Sequence, residues 1–216
     1  MSDAIKEKTA KFFAQYPLKS FDKRQLLLQP QSEPANIFYL VEGRVSQYDI
    51  APSGREIVVN VFKPGAFFPM APVMNHTLNR YFFEASTKVI ARAVPAADVV
   101  NFLRSTPEVL FDLLARVYKG VDGVLRRMAH LMAGNAKSRL LFELLNAAYR
   151  FGESQADGSI FIDLKENDFA RHSGLARETV SRILQELKAA GLVKIERGGL
   201  TITSLAQLEA MLDSML

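Results

Sequence analysis

The segment Glu166–Lys188 constrains the fold of this chain more than any other stretch of its 216 residues. Its sequence, ENDFARHSGLARETVSRILQELK, predicts two short helices joined at Gly174, because glycine tolerates the backbone conformation of a tight turn. The first turns of the second helix carry Arg177, Glu178, Thr179, Ser181 and Arg182. A helix of this kind can enter the DNA major groove with its N-terminal residues at the base edges. The segment therefore predicts a DNA-binding helix-turn-helix.

Side chains on the outer face of the second helix have the chemistry needed to read bases. Arginine can donate two hydrogen bonds to guanine, and glutamate can accept one from cytosine. Glu178 lies between Arg177 and Arg182. A carboxylate that faces a phosphate-rich surface is costly unless it meets a donor, which favours base readout. The alternative is surface ion pairing, either between Glu178 and Arg182 across one helical turn or between Arg177 and the acids that follow it. The sequence leaves both interpretations open.

Positive charge in this chain is local. The formal net charge is +4 and the pI is near 9.3. From Lys137 onward, 10 Lys and Arg residues stand against 11 Asp and Glu residues, so the net charge of this part is −1. Phosphate affinity depends on local positive charge, so a basic cluster around the predicted motif can supply it. Its members are Lys165, Arg171, Arg177, Arg182, Lys188, Lys194 and Arg197.

The N-terminal part has the pattern of an antiparallel β-roll. Between about residues 21 and 87, short β-branched and aromatic segments such as IFYLV and EIVVNVF alternate with turn signals. Gly43, Gly54 and Gly65 are spaced 11 residues apart, which is typical of hairpins that wind into a roll. A short helix over residues 3–16 is expected to pack on this roll.

A long helix is predicted to begin at Thr106-Pro107-Glu108. This tripeptide combines a hydroxyl N-cap, a proline at the first helical position and an acid in the first turn. The apolar residues that follow recur in steps of four and three, as in a coiled-coil seam: Leu110, Leu114, Val117, Val121, Val124, Met128 and Leu131. The narrow seam favours pairing with a second copy of the chain, and packing on a globular core is the alternative. Gly120 and Gly123 lie inside the helix, where they could permit close backbone approach or a bend.

The C-terminal part is predicted to form a winged helix-turn-helix. An amphipathic helix over residues 136–149 precedes the recognition segment, and residues 192–203 alternate around Gly198-Gly199, a two-residue hairpin signal. The predicted fold class is α+β, with a jelly-roll-like β-roll, a long dimerisation helix and a winged helix-turn-helix. The predicted domains are a sensor domain at residues 1–105, the dimerisation helix at 106–135 and the DNA-binding domain at 136–216.

Composition excludes several classes of protein. The chain has no cysteine, so disulfides, thiolate metal sites and cysteine-held iron–sulfur clusters cannot form. No apolar run approaches the roughly 18 residues of a membrane span, and the polar N-terminus lacks the apolar core of a secretory signal. No metal-ligand spacing, glycine-rich phosphate loop or nucleophile motif is present. We therefore expect a cytoplasmic, non-enzymatic protein without a metal site or a membrane partner.

The sequence LARETVSRILQELKAAGLVKI resembles the recognition-helix region of the Crp/Fnr family of bacterial transcription regulators, and the similarity extends over nearly the whole chain. In the pattern of the family's cyclic-AMP-responsive members, this resemblance implies that Arg177, Glu178 and Arg182 read bases in TGTGA-like half-sites. The phosphate contacts that it implies are Thr179, Lys165 and Asn167. It also implies a homodimer on double-stranded, palindromic DNA, with RNA polymerase as a partner. One departure is Ala176, where the family commonly has serine, and this removes one phosphate contact.

The same resemblance implies a candidate effector pocket. Met70 stands where the family has a ribose-binding carboxylate, and Tyr81 replaces a small hydroxyl residue beside Arg80. Val124 and Leu125 replace the polar pair that reads adenine. Because several polar contacts are missing together, cyclic AMP is not expected to bind, and the small-molecule effector is unknown. Arg80 matches the phosphate-binding arginine, and it could bind another anion or form an ion pair.

Two other classes of function remain open. His76 lies in the loop MNHTLNR, near where some relatives hold haem, which makes a haem-based gas sensor one alternative. An isolated loop histidine is the simpler interpretation. The other alternative is an effector-binding protein whose roll is the functional part, without ligand-gated DNA binding. His172, in the first helix of the DNA motif, is expected to lie at the surface.

Overall fold

The structure is a computed structural model in which residues 3–215 are described. The chain divides into two compact units, Met1–Lys119 and Gly120–Leu216. The boundary lies within the longest helix, which contributes to both units. Among the residues described, no helix combines the length and the apolar character that a membrane span requires.

Two antiparallel four-stranded sheets form the roll of the first unit, as predicted. The strands are β1 (Leu18–Phe21), β2 (Leu26–Leu28), β3 (Asn36–Glu42), β4 (Val45–Ile50), β5 (Glu56–Phe62), β6 (Phe67–Phe68), β7 (Phe82–Ala85) and β8 (Val89–Pro95). Their order is β1-β8-β3-β6 in one sheet and β2-β7-β4-β5 in the other. Gly43, Gly54 and Gly65 have φ angles of 87°, 77° and 86°. This left-handed conformation explains the regular glycine spacing.

Three helices complete the roll. They are α1 (Asp3–Ala14), α2 (Met70–Asn75) and α3 (Ala96–Ser105). Phe13 is fully buried, and Ile5 and Phe12 pack against the same cluster, so α1 packs on the roll as expected. The short α2 is not predicted from the sequence, because six residues with a central proline show no amphipathic period.

Stacked aromatic rings fill the space between the two sheets of the roll. The ring of Phe68 lies 4.6 Å from that of Phe62 and 5.4 Å from that of Phe83, measured between centroids. Phe38 and Phe21 extend the same cluster. Burying one such ring contributes roughly 1.5–3 kcal/mol. The interior of the roll is therefore a packed core.

The longest helix, α4 (Pro107–Ala133), begins at the predicted proline. In the first unit, the Arg116 guanidinium lies 2.9 Å from the Asp112 carboxylate and donates to the Gly65 carbonyl at 3.3 Å. It also lies 5.2 Å from the centroid of the Phe67 ring, within the range of a cation–π contact. Arg116 therefore attaches this part of α4 to a turn of the roll.

The second unit is a winged helix-turn-helix. Its elements after α4 are α5 (Ala136–Phe151), β9 (Glu153–Ser154), β10 (Ile160–Ile162), α6 (Glu166–Ser173), α7 (Arg177–Ala189), β11 (Val193–Ile195), β12 (Leu200–Ile202) and α8 (Leu205–Asp213). The strands form one sheet in the order β11-β12-β10-β9. Helix α5 is amphipathic, as predicted, and its buried face includes Leu140, Leu141, Leu144 and Leu145.

The wing turn differs from the prediction by one residue. Glu196 and Gly199 exchange backbone hydrogen bonds of 3.0 and 3.4 Å, so Arg197 and Gly198 form the tip. The predicted tip was Gly198-Gly199. Gly199 lies at the base of the wing instead, where a Cβ atom would clash with the Ile162 carbonyl. A tertiary contact, rather than the turn, requires glycine there.

Candidate DNA interface

The turn between α6 and α7 has the predicted geometry. The Asp168 carboxylate accepts a hydrogen bond from the Lys165 backbone N–H at 2.9 Å, which stabilises the start of α6. The Ser173 hydroxyl donates to the Phe169 carbonyl at 2.6 Å near its end. Gly174 then takes a φ of 68° and ends the helix. These local interactions set where α7 begins.

Helix α7 is held by one apolar face. Val180, Ile183, Leu184 and Leu187 are at most 1% exposed, and Phe169 and Ala170 of α6 belong to the same core. This spacing of three and four residues is that of an amphipathic helix. Because the apolar face is fully used in packing, the orientation of the opposite face is fixed.

That opposite face presents the predicted base-reading residues to solvent. Arg177, Glu178 and Arg182 are exposed, while Thr179 and Ser181 are partly buried beside them. Arg182 pairs with Glu186 at 2.8 Å, so it does not form the surface pair with Glu178 that the sequence left open. An exposed pair of this kind contributes little to stability and is easily exchanged for another partner.

A cleft of about 270 Å³ lies between the start of α6, the start of α7 and the wing. Lys165, Asn167, Arg177 and Arg197 line it, together with the acidic Glu196. Arg197 belongs to the predicted basic cluster but not to the predicted DNA contacts, and the cleft brings it to the same place as Lys165 and Asn167. The cleft therefore joins residues that the sequence places in three separate elements.

Apolar side chains along α4 are left open to solvent. The predicted seam residues Leu110, Leu114, Val117, Val121, Val124 and Met128 are between 37% and 58% exposed. The side chain of Leu131 lies outside the described residues. Phe111, Tyr118 and Met132 add further exposed apolar surface. Contiguous exposed surface of this kind marks an interaction site. Among the described residues, a Cβ at Gly120 or Gly123 would meet no atom within 4 Å apart from the neighbouring backbone of α4 itself.

Comparison with known proteins agrees with this architecture. Residues 18–106 match the model of the cyclic nucleotide-binding domain, and residues 138–211 match that of the Crp-like helix-turn-helix domain. The chain belongs to the Crp/Fnr family of transcription regulators. The predicted α+β class and its elements are confirmed by these matches.

Relatives in the Crp/Fnr family cover most of the chain. The transcriptional regulator SdrP of Thermus thermophilus is 24% identical over 82% of this chain and 84% of its own length. The global nitrogen regulator of a Nostoc species is 26% identical over 86% and 84%, respectively. A solved CRP/FNR-family regulator from Thermus thermophilus superposes with a TM-score of 0.76 at 23% identity, over 93% of this chain and 100% of that one. These relatives are regulators rather than enzymes.

The residues predicted to form the effector pocket lie in different surroundings. Tyr81 packs against the aromatic core of the roll, and Met70 against the cluster formed with α1 and α3. Val124 and Leu125, in the second unit, are 58% and 59% exposed. Arg80 is exposed and forms no ion pair with the described residues. The sequence predicts either anion binding or an ion pair for Arg80, and the ion pair is not observed among the described residues.

Asn79 organises the segment that carries Arg80, and sequence reasoning missed it. Its side-chain amide donates to the Gln29 carbonyl at 2.7 Å and to the Tyr81 carbonyl at 2.6 Å. Its carbonyl oxygen accepts from the Tyr81 N–H at 3.2 Å. Asn79 is 1% exposed, so these bonds also satisfy a buried polar group. The run of polar residues in MNHTLNR gave no indication of which one turns inward.

The histidines separate into exposed and buried ones. His76 is exposed and ends α2 with a φ of 53°, and its use as a haem ligand stays a prediction. His172 is partly buried, which corrects the expectation of a surface residue. Burial lowers the pKa of His172 to about 4. His130 is 8% exposed against the Phe142 ring, and burial lowers its pKa as well.

Proposed function

We propose that this Crp/Fnr regulator binds TGTGA-like half-sites through the outer face of α7. Arg177 and Arg182 would donate to guanine, and Glu178 would accept from cytosine. The observation that carries this proposal is the exposure of all three side chains on a helix whose other face is buried. RNA polymerase would be a further partner, and the protein would act in the cytoplasm, where it meets chromosomal DNA.

Contacts to the DNA backbone would come from both sides of the recognition helix. Lys165, Asn167 and Thr179 are the proposed phosphate contacts, with Ser181 beside them. We add Arg197, because it lines the same cleft as Lys165 and Asn167. Positive charge placed at these points supports binding although the C-terminal part of the chain is not basic overall.

The exposed apolar stripe on α4 supports a homodimer. Pairing two copies of α4 would remove this stripe from water and place two recognition helices side by side. On a palindrome, such helices enter successive major grooves about 34 Å apart. The two glycines in the stripe have room on this chain's side, which is compatible with close approach of a second backbone.

The proposed effector is a small molecule other than cyclic AMP. Met70 and Tyr81 are engaged in packing, and neither offers the carboxylate or the small hydroxyl group that the family's nucleotide site uses. Arg80 remains available to an anion. An effector can regulate DNA binding only if its affinity differs between two arrangements of the protein. Calorimetry with cyclic AMP is expected to show no micromolar binding.

Band shifts on a palindrome of two TGTGA-like half-sites test the proposed DNA recognition. Arg177→Ala and Arg182→Ala are each expected to cost about 1–3 kcal/mol in specific binding. Arg104→Ala removes the same charge from an exposed position on α3 and serves as the control. If both α7 variants retain the specific affinity of the unmodified protein, the recognition proposal is wrong.

A further inference from the structure

One guanidinium joins three helices of the second unit. Arg127 lies on the C-terminal part of α4, and its Nε is 2.7 Å from Oε1 of Glu143 on α5. Its Nη2 donates to the backbone carbonyl of His172, the penultimate residue of α6. Glu143 is only 4% exposed, so this is an interior contact. The same side chain therefore contacts both helices that follow α4 in the chain.

The environment of this contact is unfavourable for charge. Burial raises the pKa of Glu143 to about 7, while Arg127, the Asn146 side chain and Arg150 act in the opposite direction. Burial also lowers the pKa of Arg150. Removing an ion pair from water costs several kcal/mol per ion, so apolar residues of similar size are often as stabilising. Thermodynamic stability alone is therefore a weak explanation for these groups, whereas fixing one arrangement of helices is an attested use.

The Arg127 bridge reaches α6, which the chain connection between α4 and α5 does not. Helices α4 and α5 are joined through Gly134 and Asn135, and the Asn135 side chain accepts from the N–H groups of Lys137 and Ser138. That junction fixes where α5 begins. The His130 ring of α4 also packs on the Phe142 ring of α5, with 4.7 Å between the centroids. Arg127 adds a direct attachment to the end of α6, where the last carbonyls of a helix have no partner within the helix.

We propose that Arg127 is a positioning residue for DNA recognition, because its bridge between Glu143 and the His172 carbonyl fixes the helix-turn-helix relative to the C-terminal part of α4. The role rests on the proposed function, since α4 is also the proposed dimer helix. Without the bridge, the recognition helix would sample several directions, and only some of them would suit both half-sites.

Spin labels test the positioning directly and without DNA. The chain has no cysteine, so Ala129→Cys on α4 and Gln185→Cys on α7, both exposed positions, give specific attachment sites. Dilution with excess unlabelled protein restricts the measured distances to one protomer. We expect a narrow distance distribution that broadens in Arg127→Met. Glu143 keeps Arg150 and Asn146 as neighbours in this variant, so the unit is expected to fold.

Two further variants distinguish the geometry of the Arg127 bridge from the effect of its positive charge. Arg126→Met removes the same charge from the adjacent residue, which is 76% exposed and 4.0 Å from Asp122, and it should leave the distribution narrow. Arg127→Lys keeps the charge next to Glu143, but it lacks the planar fork that reaches two acceptors. We expect Arg127→Lys to broaden the distribution too. A narrow distribution in Arg127→Lys or in Arg127→Met overturns the proposal.

Half-site spacing provides the functional measurement. The unmodified protein should prefer a palindrome whose half-sites are one helical turn apart over one lengthened by two base pairs. If about a tenth of the Arg127→Met molecules hold the binding-competent direction, affinity for the preferred palindrome falls about tenfold, and the preference flattens. Arg126→Met should keep it. Retained preference in Arg127→Met contradicts the proposed role. Lack of preference in the unmodified protein contradicts the proposed dimeric function instead, and the distance measurement still tests Arg127.

Discussion

The recognition helix exposes its polar side chains, whereas two residues of the candidate effector pocket are engaged in packing. On α7, apolar side chains are consumed in packing and polar ones point to solvent. At the predicted effector positions, Met70 and Tyr81 instead pack against the roll. The predicted DNA-binding face therefore leaves its polar groups exposed, whereas two of the predicted ligand-binding side chains are engaged in packing.

The largest expected effect is on folding stability. It tests whether packed side chains fill the interior of the roll or leave room for a ligand. Phe68 is 1% exposed and stacks on three other rings. Phe68→Ala should lower the free energy of unfolding by about 3–5 kcal/mol, because it leaves a cavity. Denaturant unfolding measures this, and Phe68→Leu, which fills part of the space, should cost less. A loss below about 1 kcal/mol in Phe68→Ala would mean that the roll has spare room of the kind a ligand needs.

The second prediction concerns the partly buried imidazole of His172 in helix α6. The folded-state pKa of His172, about 4, lies below its ordinary value of 6.5. The stability that the neutral imidazole contributes is therefore present above pH 6.5 and is lost as the pH falls toward 4. This loss is on the order of 3 kcal/mol. The charged groups that face His172 are Asp168, Arg127, Arg171 and Arg150.

Unfolding measured between pH 7 and pH 4.5 tests this prediction. His172→Gln should reduce the loss of stability on acidification relative to the unmodified protein, because no imidazole then has to remain neutral. His76→Gln removes an exposed imidazole and is the control. An identical acid dependence in His172→Gln and the unmodified protein would show that the buried position does not govern the titration.

A third prediction tests the proposed base contact of Glu178 on the recognition helix. Glu178→Ala should cost about 1–3 kcal/mol at the one base pair that Glu178 is proposed to read. Affinity for unrelated DNA should rise slightly, because a negative charge is removed from the DNA-binding face. Competition binding with single-base variants of the half-site measures both effects, with Glu153→Ala as a charge control at an exposed position on β9. A uniform loss on every sequence would assign Glu178 a structural role.

The smallest expected effect concerns the DNA backbone. Lys165→Ala should weaken binding by a similar factor on all sequences and reduce the slope of log affinity against log salt by about 1. Lys19→Ala removes a lysine from an exposed position on β1 and should leave the slope unchanged. A sequence-dependent loss in Lys165→Ala would instead indicate contact with bases.

Local patterns account for most of what the sequence predicts correctly. The turn at Gly174 and the start of α4 depend on residues within a few positions of each other, so composition and spacing are sufficient to find them. The hydrogen bond from Arg127 to the His172 carbonyl instead joins residues 45 positions apart, and no local pattern reports that contact. The wing tip was misplaced for the same reason, since Gly199 is required by Ile162.

Some residues of the candidate site can be predicted from local sequence, and others cannot. Helical period predicts which α7 side chains point outward, because one turn of helix fixes the angle between neighbours. It does not predict Asn79 or Arg197. Asn79 acts through backbone groups on either side of it, and Arg197 joins the cleft only because strands β11 and β12 fold back toward α6.

The clash that a side chain would cause at Gly199 has a consequence for the wing as a whole. The carbonyl of Ile162 sets how near the base of the hairpin can come to the sheet, and a hydrogen atom is all that fits between them. A methyl group at position 199 would therefore displace the base of the hairpin from the Ile162 carbonyl. Because Arg197 lies only two residues from that base, its position in the cleft beside Lys165 depends on the absence of a side chain at Gly199.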